Sequence, residues 1–149
     1  MKPQRLGQIV VVEDSDEDFD TVLDAARLAS VTNEIKRANS GEECLRLLGD
    51  SDSMTDRPMM VLLDLNTPGI DGRDLLNIIH QDARFIAIPI IVMSTSANPR
   101  DLSFCYEHGA KAYHVKPVSH PEHLKILQSI FDYWLRCVVL PDQERIAHS

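Results

Sequence analysis

Short runs of consecutive apolar residues alternate along the chain with segments in which apolar residues recur every three or four positions. The strongest runs cover residues 9–12, 59–63 and 88–93, and weaker runs cover 34–38 and 112–115. Runs of this length between turn residues predict strands that are buried on both faces of a sheet.

The segments between these runs predict helices, and local signals mark several helix ends. The signals are the capping box of Ser40 and Glu43, Gly49, the pair Asn98 and Pro99, Gly109, and Ser119 or His120 followed by Pro121. Five strand–helix repeats with short connections predict an α/β domain with one parallel sheet covered on both faces. The polar residues 50–58 are predicted to form a mobile surface loop.

Length and composition narrow the class of protein without defining a function. A chain of 149 residues predicts one domain over 1–149, and we expect the last helix to extend over about 136–149. The 23 acidic and 15 basic residues give a formal net charge of −8, which disfavours nucleic-acid binding. Three scattered cysteines indicate a reducing compartment, and no apolar segment is long enough for a signal peptide or a membrane span.

Polar residues with distinct chemistry follow four of the five predicted strands. Glu13 and Asp14 follow the first strand, Asp64 ends the third, Ser94 the fourth and Lys116 the fifth. The carboxyl ends of parallel strands share one edge of the sheet, where ligands bind. Three carboxylates that meet there repel each other unless a cation lies among them, and Mg2+ suits oxygen ligands. One carboxylate could then take a phosphoryl group.

These motifs resemble the receiver domain of two-component response regulators. The resemblance covers about residues 8–135 and rests on the acidic pair, on Asp-x-Asn-x-Pro-Gly-x-Asp-Gly from Asp64, on Ser94-Thr95 and on Lys116-Pro117. It implies a flavodoxin-like (βα)5 doubly wound sandwich with the parallel strands in the order 2-1-3-4-5. It also implies a phosphoacceptor rather than an enzyme, with slow autodephosphorylation at most.

The resemblance assigns a role to each matching residue. Asp64 resembles the phosphoacceptor, Ser94 the switch hydroxyl, Lys116 the phosphate contact and Tyr113 the aromatic switch. The Mg2+ ligands that it implies are Asp14 directly, Glu13 through water, Asp64, and the backbone carbonyl of Asn66.

Within the family, the chain is similar to the small response regulators of cyanobacterial phytochrome kinases. The shared features are residues 93–96, the helix start at 98–101, and a long tail that contains residues 131–135. The resemblance implies a cytoplasmic phosphorelay protein whose phosphodonor is a histidine kinase of the phytochrome type. Since no further domain follows residue 149 in this sequence, we expect its output to be a conformational change and a protein contact.

Three alternatives compete with this interpretation. A phosphohydrolase of the haloacid dehalogenase type needs a second Asp where Asn66 stands. A pseudo-receiver would act as an interaction module without taking phosphate, which the complete residue set disfavours. A flavin-binding protein needs a Ser/Thr-rich phosphate loop, whereas Glu13 and Asp14 repel phosphate.

The last predicted helix carries a wider apolar arc than packing on one sheet requires. One explanation is that the tail folds back over the second face. We favour a homodimer through the surface of helix four, strand five and helix five, extended by that second face. The residues of the second face are Ile126, Ile130, Tyr133, Cys137 and Leu140.

Overall fold

The computed structural model describes residues 7–49 and 57–140. The strands are β1 (Ile9–Val12), β2 (Ile35–Ala38), β3 (Met60–Asp64), β4 (Ile90–Ser94) and β5 (Ala110–Val115). The helices are α1 (Asp16–Leu28), α2 (Gly41–Gly49), α3 (Gly72–His80), α4 (Pro99–Glu107) and α5 (His120–Asp132). A 3-10 turn (Ala83–Phe85) precedes β4, and a π-helical turn (Tyr133–Cys137) continues α5.

All strands are parallel and their order is β2-β1-β3-β4-β5, which confirms the predicted fold. Because successive side chains of a strand point to opposite faces, β1 divides its valines and isoleucine between two cores. Val10 and Val12 pack with the core under α2, α3 and α4, whereas Ile9 and Val11 pack with the core under α1 and α5. β3 and β4 divide their side chains between the two cores in the same way. The packed sheet therefore holds the residues at the carboxyl ends of its strands in fixed positions.

The predicted helix-start signals are confirmed by hydrogen bonds. Ser40 Oγ accepts from the backbone N–H of Glu43, while the Glu43 carboxylate accepts from the N–H of Asn39. Asn98 and Ser119 cap α4 and α5 in the same way. These caps satisfy amide groups that the first turn of a helix leaves without partners.

The end of α5 differs from the prediction. The helix becomes a π-helical turn at Tyr133, and Val138 has an extended backbone with φ −79° and ψ 147°. The predicted helical extension is therefore wrong for residues 138–140, while 141–149 lie outside the described residues. Arg136 fixes the turn by donating a 3.1 Å hydrogen bond to the carbonyl of Ser30 at the end of α1.

The predicted second apolar face of α5 is largely covered by the chain itself. Ile130 is only 2% exposed and belongs to the core between α1 and the sheet. Ile126 and Leu140 pack against the same core, which leaves Tyr133 and Cys137 as the exposed members. The sequence pattern could not distinguish cover by α1 from cover by a second copy.

Two remaining expectations concern the loop and the membrane. Residues 50–56 of the predicted mobile loop lie outside the described part of the chain. Among residues 7–49 and 57–140, none of the helices combines the length and apolar character that crossing a bilayer requires.

Candidate functional site

The carboxyl ends of β1, β3, β4 and β5 meet at one edge of the sheet. Backbone hydrogen bonds continue beyond the strands there: the N–H of Lys116 donates to the carbonyl of Ser94 at 2.6 Å, and that of Glu13 donates to Ala38 at 3.0 Å. The residues that follow the strands are therefore held in register with the sheet.

Lys116 lies at the centre of a cluster that we call the acid pocket (Glu13, Asp18, Asp64 and Lys116). Its Nζ contacts Asp18 Oδ2 at 2.8 Å, Asp64 Oδ2 at 2.9 Å and Glu13 Oε1 at 3.2 Å. The Lys116 side chain is only 10% exposed. One ammonium group therefore serves three carboxylates, and the cluster carries a formal charge of −2 when all four groups are ionised.

Opposite pKa shifts reflect this crowding. Burial, reinforced by the negative charge of Asp64, raises the pKa of Glu13 to about 7. Burial works against the charge of Lys116, but its hydrogen bonds with Asp18 and Asp64 raise its pKa nevertheless. The raised pKa of Lys116 keeps its ammonium protonated, whereas the raised pKa of Glu13 shows that its ionised form is disfavoured and would be stabilised by a further cation.

Asp64 is held by contacts to both of its carboxylate oxygens. Oδ1 accepts a 2.9 Å hydrogen bond from the backbone N–H of Asn66, and Oδ2 contacts Lys116. Asp64 is 8% exposed and Asn66 is exposed. A carboxylate fixed in this way at a strand end has a defined orientation, which positioning for phosphoryl transfer requires.

Asp18 is a member of the pocket that the sequence interpretation missed. In a usual capping box, the acid three positions after the cap bonds back to the cap N–H. Here Glu13 Oε2 accepts from the N–H of Ser15 at 3.2 Å, and the Asp18 side chain reaches Lys116 instead. The sequence feature that could have indicated this role is the position of Asp18 in the first turn of α1, directly after β1 and the acidic pair.

Arg37, near the end of β2, is a second residue at this edge of the sheet that the sequence analysis did not include. Its Nε donates to the carbonyl of Glu13 at 2.9 Å, its Nη1 contacts Asp16 at 2.8 Å, and its guanidinium stacks over Phe19. Arg37 therefore orients the β1–α1 connection from which Glu13 enters the acid pocket.

The carboxylates of the pocket fit a divalent cation. Ligand oxygens of Glu13, Asp18 and Asp64 lie within 4.8 Å of one another, and carboxylate oxygens are ligands that Mg2+ accepts. Within the described residues, Asp14 is exposed and does not belong to this cluster. The structure thus brings together Glu13, Asp64 and Lys116 as predicted, adds Asp18, and leaves Asp14 at the rim.

Ser94 and Tyr113 meet through the β4–α4 loop. Ser94 is fully buried, and its Oγ accepts a 3.1 Å hydrogen bond from the N–H of Ser96. Tyr113 packs against the core under α4, and its hydroxyl donates to the carbonyl of Ser96 at 2.8 Å. The hydroxyl and the aromatic ring that the sequence paired are therefore connected through one loop residue.

Comparison with known proteins identifies the class. The response regulator receiver domain family matches residues 9–128, and the chain belongs to this family. The protein is a receiver-domain response regulator. This class is the one that the sequence motifs implied, and neither the phosphohydrolase nor the pseudo-receiver alternative is favoured.

Individual relatives carry the resemblance further. Response regulator Rcp1 of Synechocystis sp. is 32% identical over 135 residues, which cover 89% of this chain and 92% of Rcp1. The crystal structure of the phosphorylated cyanobacterial phytochrome response regulator RcpA aligns with a TM-score of 0.84 at 31% identity and covers 91% of this chain and 98% of RcpA. The crystal structure of the Mn2+-bound form of Rcp1 aligns with a TM-score of 0.82 at 30% identity. The alignment covers 94% of this chain and 100% of that structure's chain. The predicted similarity to cyanobacterial phytochrome response regulators is confirmed.

Proposed function

We propose that Asp64 accepts a phosphoryl group from a phosphohistidine of a histidine kinase in a Mg2+-dependent reaction. The observation that carries this proposal is the contact of Lys116 Nζ with Asp64 Oδ2 at 2.9 Å inside a pocket of net negative charge. This arrangement gives Asp64 a fixed cation beside the oxygen that would attack phosphorus. The phosphorylated chain then signals by a change of conformation and of protein contacts.

The proposed chemistry needs little from the protein beyond position and charge. A carboxylate oxygen of Asp64 attacks phosphorus, the bond from phosphorus to the histidine nitrogen breaks, and that nitrogen keeps the electron pair. We propose that Lys116 and the Ser94 hydroxyl contact phosphoryl oxygens of the product. Bound Mg2+ would supply charge neutralisation, held by Glu13, Asp64, the Asn66 carbonyl and Asp14, with Asp18 beside them. We propose no further enzymatic activity.

Labelling with a small phosphodonor tests this function. We expect acetyl phosphate with Mg2+ to add one phosphoryl mass to the wild type and to the control Asp82→Asn, whose carboxylate lies in the distant 3-10 turn. Asp64→Asn should gain nothing, and chelation of Mg2+ should stop labelling of the wild type. A wild type that stays unlabelled, or a labelled Asp64→Asn variant, would contradict the proposal.

The donor is proposed to be a phytochrome-type histidine kinase in the cytoplasm. The names of the relatives Rcp1 and RcpA support the donor, and three free cysteines, two of them buried, support a reducing compartment. We expect transfer from an autophosphorylated phytochrome kinase to be faster than transfer from a histidine kinase of another sensor class at equal concentrations. Equal rates would contradict the assignment of the donor.

We further propose a homodimer through the face formed by α4, β5 and α5. Apolar side chains are exposed there: Tyr106 is 50% exposed, Val115 is 44% exposed and Val118 projects fully from the β5–α5 connection. We expect the double variant Val115→Glu, Val118→Glu to sediment as a monomer, while Leu28→Glu, on exposed α1 surface, should not change the sedimentation. An unchanged double variant would overturn the dimer.

The dimer is proposed to respond to phosphorylation, because Tyr113 of the same face is linked to Ser94. Dimer affinity should therefore differ between the phosphorylated and unphosphorylated chain. Equal affinities would contradict this coupling without affecting the labelling of Asp64.

A further inference from the structure

Ser96 is a junction in the β4–α4 loop, since each of its polar groups is engaged. Its N–H donates to Ser94 Oγ at 3.1 Å and its carbonyl accepts from the Tyr113 hydroxyl at 2.8 Å. Its own hydroxyl donates to Asp101 Oδ2 at 2.6 Å and accepts from the N–H of Asn98 at 3.2 Å. A displacement of Ser96 would therefore move the surroundings of Ser94 and Tyr113 together.

Asp101 connects this junction to α3. It lies in the first turn of α4, and its Oδ1 accepts from Arg73 Nε at 2.7 Å. Arg73 is also held by Asp71, the N-cap of α3, at 3.3 Å. The guanidinium thus contacts one carboxylate at the start of its own helix and a second on the neighbouring helix, so it links the two helix starts.

The Arg73–Asp101 pair differs from the local ion pairs of the surface. Arg84 and Asp82 pair at the same 2.7 Å, but they are two residues apart, and within the described part of the chain the Asp82 carboxylate otherwise only caps the same turn through the N–H of Arg84. Arg73 and Asp101 are 28 residues apart, and their side chains are 28% and 18% exposed. Such a pair constrains the relative position of two elements rather than the shape of one.

We propose that Arg73, Asp101 and Ser96 form an α3–α4 clamp that holds the β4–α4 loop where Ser94 is buried and Tyr113 is turned inward. Asp101 is then a positioning residue, which acts on the phosphoacceptor site only through Ser96. The consequence for the phosphorylation of Asp64 rests on the proposed function, whereas the effect on Tyr113 rests on the contacts of the clamp alone.

Loss of the clamp has a defined direction. Without Asp101, the Ser96 hydroxyl loses its charged acceptor and the loop is no longer connected to Arg73. The carbonyl of Ser96 can then leave the Tyr113 hydroxyl, and the ring is free to turn outward. A hydrogen bond to a charged group of this kind changes an equilibrium by about tenfold or more.

Fluorine NMR of the chain labelled with meta-fluorotyrosine reads the clamp without phosphorylation. The chain has three tyrosines, and Tyr113→Phe identifies the resonance of Tyr113. In Asp101→Ala and in Ser96→Ala, we expect this resonance to move to a new position or to split. The double variant should resemble either single variant, because both changes break the same connection. The control Asp82→Ala loses an equally short ion pair and should leave the Tyr113 resonance unchanged.

The rate of labelling by acetyl phosphate then tests the consequence for Asp64. We expect about a fivefold to tenfold slower labelling in Asp101→Ala and Ser96→Ala, and an unchanged rate in Asp82→Ala. If Asp101→Ala does not fold, Arg73→Gln disconnects α3 from Asp101 and must move the same resonance. An unmoved Tyr113 resonance in these variants, or independent additive effects, would overturn the clamp. A wild type that does not label would instead overturn the proposed function, since the fluorine result does not depend on labelling.

Discussion

Two groups of charged residues at the same edge of the sheet shift the pKa values of their carboxylates in opposite directions. In the acid pocket, one buried ammonium serves three carboxylates, and burial raises the pKa of Glu13 to about 7. In the α3–α4 clamp, the hydrogen bonds from Arg73 and then Ser96 lower the pKa of Asp101 to about 2. Glu13 shares one ammonium with two other carboxylates, whereas Asp101 accepts hydrogen bonds from both Arg73 and Ser96.

This difference distinguishes the acid pocket, whose charge changes with pH and metal, from the α3–α4 clamp, whose charge does not. A pocket with excess negative charge gains from a further cation, so its stability depends on pH and on metal. The clamp is satisfied by its own residues and keeps its charge through the neutral range. A change in the acid pocket can move the β4–α4 loop in a defined way only if the clamp on the other side of the loop keeps its own structure.

The largest expected effect comes from removing the cation of the acid pocket. Lys116→Met leaves three carboxylates together without their ammonium, and we expect a loss of about 3–5 kcal/mol in the free energy of unfolding without metal. Urea unfolding near pH 8 in the presence of a chelator measures this loss. Lys111→Met, at an exposed lysine of the preceding strand β5, should change little. Addition of Mg2+ should restore part of the loss, and a variant as stable as the wild type would show that the carboxylates do not repel.

The second effect is a pH dependence that belongs to Glu13. Its folded pKa of about 7 is above its ordinary 4.5, so the unfolded chain releases this proton first as the pH rises. Glu13 therefore lowers the stability of the metal-free protein progressively between about pH 4.5 and 7, by about 3 kcal/mol in total. Glu13→Gln should remove that part of the pH slope, and the exposed Glu17→Gln should keep it. An identical slope in Glu13→Gln would contradict the shift.

The fold was predictable because its signals are local. The three central strands β1, β3 and β4 are apolar runs that are buried on both faces, whereas the edge strands β2 and β5 are only partly buried. Helix starts such as Asn98 carry side chains that bond to the next amides. The strand-end residues Glu13, Asp64 and Lys116 were predictable for a related reason. A parallel sheet brings the carboxyl ends of its strands to one edge, so position after a strand is enough to place them.

The remaining features depend on how far side chains reach and on what covers them. Asp18 enters the pocket because Glu13 occupies the amide to which it would otherwise bond, and sequence spacing does not contain that competition. Ile130 lies on an apolar face in either interpretation, but only the three-dimensional packing shows that α1 covers it. The clamp is missed for the same reason, because Arg73 and Asp101 are ordinary surface residues in the sequence.

A third, smaller effect distinguishes the two carboxylates beside Glu13. Asp18 is held by Lys116 at 2.8 Å, whereas Asp14 is exposed at the rim of the pocket. We expect Asp14→Asn to weaken Mg2+ binding about tenfold, and Asp18→Asn to weaken it by no more than about threefold, because Lys116 already neutralises Asp18. Calorimetric titration with Mg2+ measures both. A larger loss in Asp18→Asn would transfer the ligand role from Asp14 to Asp18.

The smallest effect is expected in the clamp, and its independence of pH is the informative result. Asp101 has a folded pKa of about 2, below its ordinary 3.8, so the stability from its ion pair is present above about pH 4 and is lost only as the pH falls toward 2. Asp101→Asn should therefore cost about 1 kcal/mol, by the same amount at pH 5 and at pH 8. Urea unfolding at both pH values, in parallel with Glu13→Gln, compares the two sites directly. If the cost of Asp101→Asn changed across this range as Glu13→Gln does, the clamp would be a titrating site like the pocket and could not act as its fixed reference.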